Sequence, residues 1–357
     1  MLRTINNIGT LKGKKVLLRT DFDVPVAKEE VTEPFRIQKQ KKTIDHLLAG
    51  GARVAMAAHI ASLPSFQSVM PQIEKILGRK VRLIGEISDF HNADESLCLL
   101  DNVRRYSGEE KNDMKFSKDL AKRFDIYVNN AFAVCHRNHA SVSGVTEFLK
   151  SYAGFIVEEE VRELGKCLDA PMAGKVVIMG GAKASTKIPV IKNFINKAEK
   201  ILVAGVIAND ILKEKGTNVL GSVADSDSKQ LLSGLDMDSS KLVLPEDFNE
   251  FEGRFLDIGP KTISNYVAII NGAKMIIWNG PMGVFEDSRF SGGTEAVAKA
   301  IAGSGAFKVV GGGDSVAAMN KFNILDKFDF VSTGGGAMLE FLAGDRLPGL
   351  AKLGYYE

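Results

Sequence analysis

Two lysines follow a pair of glycines in the segment 176–198, which reads VVIMGGAKASTKIPVIKNFINKA. The apolar run ends at Gly180 and Gly181, Lys183 and Lys187 come next, and isoleucines at helical spacing follow. Glycine lets backbone N–H groups approach a phosphate, and a lysine in the first helical turn opposes the helix dipole unless an anion lies nearby. The segment therefore predicts a phosphate-binding loop. The alternatives are a simple tight turn for the glycines and a solvated surface for the lysines.

The ends of the other apolar runs differ between the two halves of the chain. In the first half they carry charged or imidazole side chains, namely Arg19, Asp21, Asp23, His59, Arg104, Arg105 and Arg137. In the second half they carry glycine, at 180–181, 280, 283, 311–313 and 334–336. Glycine at a strand end suits a polyphosphate, whereas arginine holds a carboxylate or phosphate by paired hydrogen bonds. The contrast predicts one site for a polyphosphate, one for a small anion, and group transfer between them.

Several of these residues also fit structural roles. Asp314 follows three glycines and could be either a helix N-cap or a metal-bound carboxylate. Asp21 and Asp23 precede a proline and could simply organise a turn. His136 and His139 have a metal-binding spacing but no third ligand nearby. The P-loop, the protein-kinase signature and an intact Gly-x-Gly-x-x-Gly are all missing, which disfavours the common nucleotide folds.

Alternating strands and helices must position these side chains. Short apolar runs recur along both halves, as in KVLLRTDF, ARVAMAAH and IYVNNAF, then KVVIMGG, KILVAG, KMIIWNG and FKVVGGG. Helical patterns such as QKQKKTIDHLLAGG and GGTEAVAKAIAGSG lie between them, so both halves should be α/β with parallel sheets. The segment 155–168, FIVEEEVRELGKCL, has apolar residues at helical spacing and could be a helix joining two domains.

Composition narrows the classes of protein that remain. The 357 residues allow two domains, and a net charge of +2 lacks the basic excess of a nucleic-acid binder. The first 15 residues have no apolar core for a signal peptide, and no run is long enough to span a membrane. Cys98, Cys135 and Cys167 are odd in number and widely spaced, which argues against a disulfide framework. We therefore expect a cytoplasmic protein.

Longer motifs in the sequence resemble those of phosphoglycerate kinases, in the same order and from end to end of the chain. They are LKGKKVLLRTDFDVP, NNAFAVCHRNHAS, GGAKASTKI, DIGPKTI, WNGPMGVFE, GGGDSVAAMNKF and STGGGAMLEFLAGDRLPGLAKL. The resemblance implies two Rossmann-like three-layer α/β/α domains with mainly parallel sheets, joined by a hinge helix. It places a phosphoglycerate-binding domain at 1–154, the hinge helix at 155–168 and a nucleotide-binding domain at 169–346, with 347–357 packing back on the first domain.

The same resemblance implies a reaction and its residues. The reaction is reversible in-line phosphoryl transfer, on hinge closure, from 1,3-bisphosphoglycerate to Mg-ADP, which gives 3-phosphoglycerate and ATP. The catalytic residues would be Arg36, Lys183, Gly313 and Gly336. The acid substrate would bind at Asp21, Asp23, Arg36, His59, Arg104 and Arg137. The nucleotide would bind at Lys183, Lys187, Asn279, Pro281, Glu286, Gly312, Gly313, Asp314, Ser315 and Gly335, with Mg²⁺ on Asp314. Only small molecules, and no nucleic acid or membrane, are expected as partners of a monomer.

The chain departs from the family pattern at several positions. Ser62 stands where the family has a substrate-binding arginine, Asp23 replaces an asparagine, Asn130 replaces an aspartate and Thr186 replaces an acid. The segment AGVIA stands where the family has a glycine-rich motif in the nucleotide-binding domain. These changes leave the acid site about one charge less positive, and a lost charged hydrogen bond typically costs roughly 1.5–3 kcal/mol. Weaker substrate binding is therefore expected. The rival hypotheses are a nucleotide-binding pseudoenzyme and a dinucleotide-dependent dehydrogenase.

Overall fold

A computed structural model describes residues 2–92 and 95–357, and the chain divides into two compact units. Unit 1 comprises residues 1–162 and 346–357, and unit 2 comprises residues 163–345. Helix α6, Phe155–Asp169, crosses the boundary between them along the chain. Among the described residues, no helix combines the length and the apolar character needed to cross a membrane.

Unit 1 contains a six-stranded sheet in the order β5-β6-β4-β1-β7-β8, and every pairing in it is parallel. The strands of this unit, including the small hairpin β2–β3, are β1 (Lys15–Arg19), β2 (Val26–Ala27), β3 (Glu30–Val31), β4 (Arg53–Ala57), β5 (Arg82–Ile84), β6 (Leu97–Leu100), β7 (Ile126–Asn129) and β8 (Lys150–Ala153). Val16 and Leu18 of β1 face one hydrophobic cluster, while Leu17 faces another. Both faces of the sheet are therefore covered, which is why its strands read as continuous apolar runs.

Unit 1 contains a set of helices, several of which contribute residues to the hydrophobic clusters on the two faces of its sheet. They are α1 (Phe35–Ala49), α2 (Met70–Leu77), α3 (Ile87–Asn92), α4 (Ser107–Glu110), α5 (Met114–Ala121) and the C-terminal α14 (Pro348–Ala351). Short 3₁₀ turns occur at Ile5–Asn7, Val103–Arg105, Phe132–Val134 and Gly144–Glu147. The C-terminal segment joins this unit because Gly349 N donates to Cys135 O at 2.8 Å and Arg3 N donates to Leu353 O at 3.0 Å.

Unit 2 contains a second parallel six-stranded sheet, in the order β11-β10-β9-β14-β15-β16. Its strands, with the separate antiparallel hairpin β12–β13, are β9 (Lys175–Met179), β10 (Lys200–Val203), β11 (Leu242–Val243), β12 (Phe248–Phe251), β13 (Arg254–Ile258), β14 (Met275–Asn279), β15 (Phe307–Gly311) and β16 (Phe330–Ser332). Numbered within the sheet, this order is 3-2-1-4-5-6, the order of dinucleotide-binding folds. The order reverses between β9 and β14, and ligands bind at such a point, beyond the carboxyl ends of the strands.

The helices of unit 2 pack in two groups. Helix α7 contacts α8 and α13, whereas α11 contacts α10 and α12. Their bounds are α7 (Ala184–Phe194), α8 (Gly205–Glu214), α9 (Ser228–Leu232), α10 (Pro260–Asn271), α11 (Gly292–Gly303), α12 (Gly313–Lys321) and α13 (Gly336–Ala343), with 3₁₀ turns at Ser288–Phe290 and Leu325–Lys327. Trp278 of β14 is fully buried in the core of this unit, beside Val176 and Ile178 of β9. The α/β fold with parallel sheets in both halves is therefore confirmed.

Candidate functional site

The predicted acid-site residues of unit 1 lie at the carboxyl ends of its strands or just beyond them. Asp21 and Asp23 follow β1, His59 follows β4, and Arg104 lies in the 3₁₀ turn after β6. Arg36 is the second residue of α1. Arg137 follows the 3₁₀ turn after β7 and is exposed. Since parallel strands present their carboxyl ends at one edge, the topology accounts for the gathering of these residues.

Arg36 and the two aspartates form a connected group. Arg36 Nη1 lies 3.3 Å from Asp21 Oδ2 and donates to the backbone oxygen of Asp23, also at 3.3 Å. Asp21 Oδ1 accepts from Asp23 N at 3.2 Å, as in an Asx turn. Asp21 therefore organises a turn, which does not exclude a binding role, whereas the Asp23 side chain accepts from Ala61 N outside this turn. The carboxylate of Asp21 thus contacts both the loop backbone and Arg36, and it helps to fix the position of each.

His59 is buried between Arg19 and Asp23. Arg19 Nη2 lies 3.2 Å from His59 Nδ1, and His59 Nε2 lies 3.5 Å from Asp23 Oδ2. Burial, with Arg19 and Arg104 nearby, lowers the pKa of His59, and Asp23 offsets only part of this. Burial acts to raise the pKa of Asp23. The opposing effect of His59, the N–H of Ala61 and Arg36 is larger, so the pKa of Asp23 is lowered to about 2. At neutral pH the pair is therefore a neutral imidazole beside a carboxylate.

Arg104 and Arg137 lie in a second group, together with His136 and His139. Burial first, then the neighbouring arginines, lower the pKa of both histidines to about 4, so neither is charged at pH 7. Nδ1 of both histidines is buried and makes no hydrogen bond with any described residue, although His139 Nδ1 lies 3.8 Å from Glu109 Oε1. Arg104 Nε forms an ion pair with Glu110 Oε1 at 3.4 Å. Buried polar atoms are normally hydrogen-bonded, so His136 Nδ1 is available to a ligand. The metal alternative gains no support, since the described residues contain no group of three potential metal ligands.

Arg19 is a positioning residue that the sequence did not single out from its neighbours. Its side chain is fully buried and donates to Ser141 Oγ at 2.8 Å and to Thr20 O at 2.6 Å. Ser141 Oγ in turn donates to the buried Glu109 at 2.5 Å. Hydrogen bonds thus link Glu109 through Ser141 and Arg19 to His59. An arginine at a strand end signals this role, but only the fold reveals that it is buried.

The departures from the family pattern occupy different surroundings. Ser62 is exposed, and its hydroxyl donates to Val24 O at 3.3 Å. Asn130 is fully buried instead, where its oxygen accepts from Thr43 Oγ1 at 2.9 Å and its nitrogen donates to Gln40 at 2.8 Å. Its side chain therefore ties β7 to α1. The amide at this position fits a buried network of neutral partners.

The three lysines of α1 that could offset the missing arginine have other partners. Lys39 Nζ lies 3.4 Å from Glu159, and Lys41 Nζ lies 2.5 Å from Asp45. Lys42 lies over the ring of Phe155, 4.8 Å from its centroid. Each of the three therefore already has a partner within unit 1.

The lysines of unit 2 differ in exposure. Lys183 is exposed at the N-cap of α7, whereas Lys187 is only 6% exposed and its ammonium lies over Gly181. Burial lowers the pKa of Lys187 to about 8; Asp314 raises it in part and Lys183 adds to the lowering. Lys187 donates no hydrogen bond to the part of the chain that the structure describes. A buried, unpaired ammonium favours a bound anion.

Four helices begin at the carboxyl edge of this sheet without a side-chain cap. Their N-cap residues are Lys183, Ala204, Gly312 and Gly335, and none accepts a capping hydrogen bond. The preceding loops meet at glycines: a Cβ on Gly180 would lie 2.1 Å from Pro281 O, and Gly312 has φ +97°. Uncapped N-termini carry free N–H groups and the positive end of the helix dipole, which suits phosphates. Gly313 and Gly336 are the first residues of two of these helices.

The remaining nucleotide-site residues divide into buried and exposed members. Asn279 donates to Gly311 O at 2.8 Å and Ser315 Oγ accepts from Gly280 N at 2.7 Å, so both steady the loops beneath the site. Asp314 and Glu286 are exposed. Asp314 lies inside α12, after Gly312 at the N-cap position, so the N-cap alternative for Asp314 is wrong. Its carboxylate is available to a ligand.

A cavity of about 320 Å³ lies within unit 2 and is lined by Pro281, Glu286 and Asp314 among others. This volume is within the usual range for ligand pockets. The cavity walls include Phe248 and Phe255 of the β12–β13 hairpin, and Asp257, which the sequence did not predict as site residues. Burial raises the pKa of Asp257 to about 6, although the N–H groups of Gly293 and Ile258 lower it in part. A wider groove of about 1010 Å³ beside α5 contains none of the predicted residues.

Comparisons with known proteins agree with this geometry. A family model described as phosphoglycerate kinase matches residues 5–345. Phosphoglycerate kinases of Thermosipho africanus and Rubrobacter xylanophilus are each 40% identical, covering 98% and 96% of this chain and 97% and 96% of those proteins. The solved phosphoglycerate kinases of Coxiella burnetii and Pyrococcus horikoshii have TM-scores of 0.85 and 0.87 at 33% and 28% identity, over 99% of each chain. The chain therefore belongs to the phosphoglycerate kinase family.

Proposed function

We propose that the chain is an active phosphoglycerate kinase, which transfers the acyl phosphate of 1,3-bisphosphoglycerate to Mg-ADP and gives 3-phosphoglycerate and ATP, reversibly. Family membership supports the reaction. One observation carries the proposal: the ammonium of Lys187 is nearly buried over Gly181 and finds no hydrogen-bond partner among the described residues. A phosphate group would supply the missing negative charge, and the uncapped helices beside it would supply N–H donors.

The two units take different substrates in this proposal. Unit 1 binds the phosphoglycerate through Asp21, Asp23, Arg36, His59, Arg104 and Arg137. Unit 2 binds the nucleotide through Lys183, Lys187, Asn279, Pro281, Glu286, Gly312, Gly313, Asp314, Ser315 and Gly335. The position of these residues at or just beyond strand ends of unit 1 supports the first assignment, and the cavity beside Glu286 and Asp314 supports the second.

Catalysis in this proposal is mainly electrostatic. The transferred phosphoryl group passes through a state with charge spread over three equatorial oxygens, so positioned cations and N–H donors lower the barrier. Arg36, Lys183 and the N–H groups of Gly313 and Gly336 are the donors that we assign to this role. No general base is required, which agrees with a neutral His59 held between Arg19 and Asp23.

Asp314 suits a magnesium ion that arrives with the nucleotide. Mg²⁺ typically keeps several waters and binds one or two carboxylates together with substrate phosphates. Asp314 is an exposed carboxylate in the first turn of α12 and lines the cavity, so the donor set fits that mode. When bound, the ion would neutralise charge on the nucleotide phosphates, while α12 and the lysines hold the phosphates in place.

We also propose that the chain works as a cytoplasmic monomer on small-molecule substrates. Its three buried free cysteines agree with a reducing compartment. The molar mass of the purified protein, measured by light scattering at micromolar concentration, tests whether it is a monomer.

A coupled assay of ATP-dependent phosphorylation of 3-phosphoglycerate tests the proposed reaction. We expect turnover by the wild type and losses of at least about a hundredfold in Lys183→Ala and Arg36→Ala, because each removes a cation from the transferring phosphate. Lys192→Ala, at the other end of α7, and Arg79→Ala, which loses only a surface ion pair, serve as matched controls. Binding of Mg-ADP without turnover at saturating acid would instead indicate a nucleotide-binding protein that has lost the reaction.

A further inference from the structure

Asp23 stands where the family has asparagine, and its surroundings explain why a carboxylate suits this chain. Its Oδ1 accepts from the backbone N–H of Ala61 at 2.8 Å. Its Oδ2 lies 3.5 Å from Nε2 of His59. Each oxygen therefore faces a different nitrogen, one from the backbone and one from the imidazole ring. What Asp23 does depends on whether both nitrogens are donors.

The protonation of His59 follows from its other neighbour. Arg19 Nη2 lies 3.2 Å from His59 Nδ1, and a guanidinium can only donate. Nδ1 must therefore accept, so the ring proton of the neutral imidazole is on Nε2. Arg19 is itself fixed by Ser141, Thr20 and its complete burial, so it cannot turn away. Nε2–H then points towards Asp23.

Two donors facing one side chain require two acceptors. A carboxylate provides one oxygen for each donor, whereas an asparagine has one oxygen and an NH₂ group that only donates. With asparagine at position 23, either the ring of His59 or the N–H of Ala61 would face another donor. The ring cannot switch tautomer to relieve this, because Arg19 already occupies Nδ1.

We infer that Asp23 is a positioning residue, which holds His59 as the Nε2–H tautomer and fixes the turn from His59 to Ser62. As far as it concerns catalysis, this inference rests on the proposed function. In this role Asp23 contributes to the phosphoglycerate site by holding His59. The hydroxyl of Ser62, which donates to Val24 O, extends the same contact between the two loops.

The electrostatics are consistent with this arrangement. The charged groups that act on His59 are Arg19, Arg104 and Asp23, and the net effect of burial and these groups is a lowered pKa. The pKa of Asp23 is lowered to about 2, so its carboxylate is ionised throughout the working pH range. Both partners keep the required protonation state at neutral pH.

Histidine NMR on the substrate-free protein tests the inference directly. Only five histidines are present, so long-range ¹H–¹⁵N correlations of histidine-labelled protein can be assigned, with His59 identified by its loss in His59→Gln. We expect wild-type His59 to be a single Nε2–H tautomer at pH 7 to 8. An Nδ1–H tautomer or a charged ring at pH 7 would overturn the inference, whatever the variants do.

The isosteric variant Asp23→Asn separates positioning from direct binding. We expect it to change the ring signals of His59 without substrate and to raise KM for 3-phosphoglycerate about tenfold, with a smaller change in kcat. Asp45→Asn, which alters only surface ion pairs, should change neither. Unchanged His59 signals in Asp23→Asn would overturn the positioning role, and a raised KM together with unchanged signals would show that residue 23 contacts the substrate itself. If the wild type has no turnover but shows the expected tautomer, the proposed function fails while the positioning role stands.

Discussion

Replacing Lys187 by methionine should weaken nucleotide binding and yet stabilise unit 2. Lys187 is 6% exposed and its ammonium donates no hydrogen bond to the described residues, so the folded state holds a charge that water would solvate better. Burial lowers its pKa from 10.5 to about 8. At 1.36 kcal/mol for each pKa unit, the charged form costs about 3 kcal/mol of unfolding free energy at pH 7. Methionine fills a similar space without that charge.

The pH dependence gives the reasoning a second, independent check. Below pH 8 both the folded and the unfolded states carry the proton, so the full cost is present. Between about pH 8 and 10.5 the folded state loses the proton first, so wild-type stability should rise with pH. Lys187→Met lacks this rise. The stability gap between variant and wild type should therefore shrink by about 2 kcal/mol from pH 7 to pH 9.5.

Urea unfolding followed by tryptophan fluorescence is suited to the measurement. The chain has one tryptophan, Trp278, fully buried in the core of unit 2, so its emission reports the unit that contains Lys187. We expect Lys187→Met to be more stable than wild type at pH 7 by about 1–3 kcal/mol. We expect Mg-ADP to bind it about tenfold to a hundredfold more weakly. The exposed Lys183→Met should leave stability unchanged. Lower stability of Lys187→Met at both pH values would refute the reasoning.

Two further predictions concern the altered acid site and a buried carboxyl. Ser62→Arg should lower KM for 3-phosphoglycerate about tenfold, because position 62 is exposed and a new charged hydrogen bond typically contributes about 1.5 kcal/mol. Steady-state kinetics measure this KM beside that of the control Ser68→Arg, which is also exposed. An equal effect in the control would exclude a specific contact at position 62. Burial raises the pKa of Asp210 to about 6, so stability should fall as pH rises from about 4 to 6. Asp210→Asn keeps the acceptor for Asp225 N and should remove that fall in urea curves read from Trp278; an unchanged slope would assign it to another group.

The parallel sheets could be predicted because their strands are buried on both faces. Runs such as KVLLR and KVVIM are continuously apolar, and the structure places them in the centres of the two sheets. The β12–β13 hairpin was missed, because its strands are short, contain polar residues and are only partly buried. A local signal was present: Glu252 and Gly253 both have positive φ, and an acidic residue before glycine between alternating apolar residues is typical of a tight hairpin turn.

Residue types at the candidate site could be predicted, but their partners could not. The sequence brings Asp21, Asp23 and Arg36 near one strand end, and the structure adds that Arg36 faces the carboxylate of the first and the backbone of the second. Asn130 illustrates the limit. As a neighbour of the strand end it counted towards the charge of the acid site, yet its amide points to Gln40 and Thr43 of α1. Side-chain direction depends on packing, which one sequence does not display.

Two buried cations show how partners decide a role. Arg19 is fully buried, and its guanidinium donates to Ser141 and to the backbone of Thr20, with His59 accepting a third contact. Its charge is compensated within unit 1, so its removal should disturb the fold. Lys187 is almost as buried, but no described residue accepts from it. A buried charge without a partner in the protein is available to a ligand, because a bound anion compensates the free-energy cost of burying that charge. Burial alone would assign both residues to the core, and only the accounting of donors and acceptors separates a structural cation from a binding one.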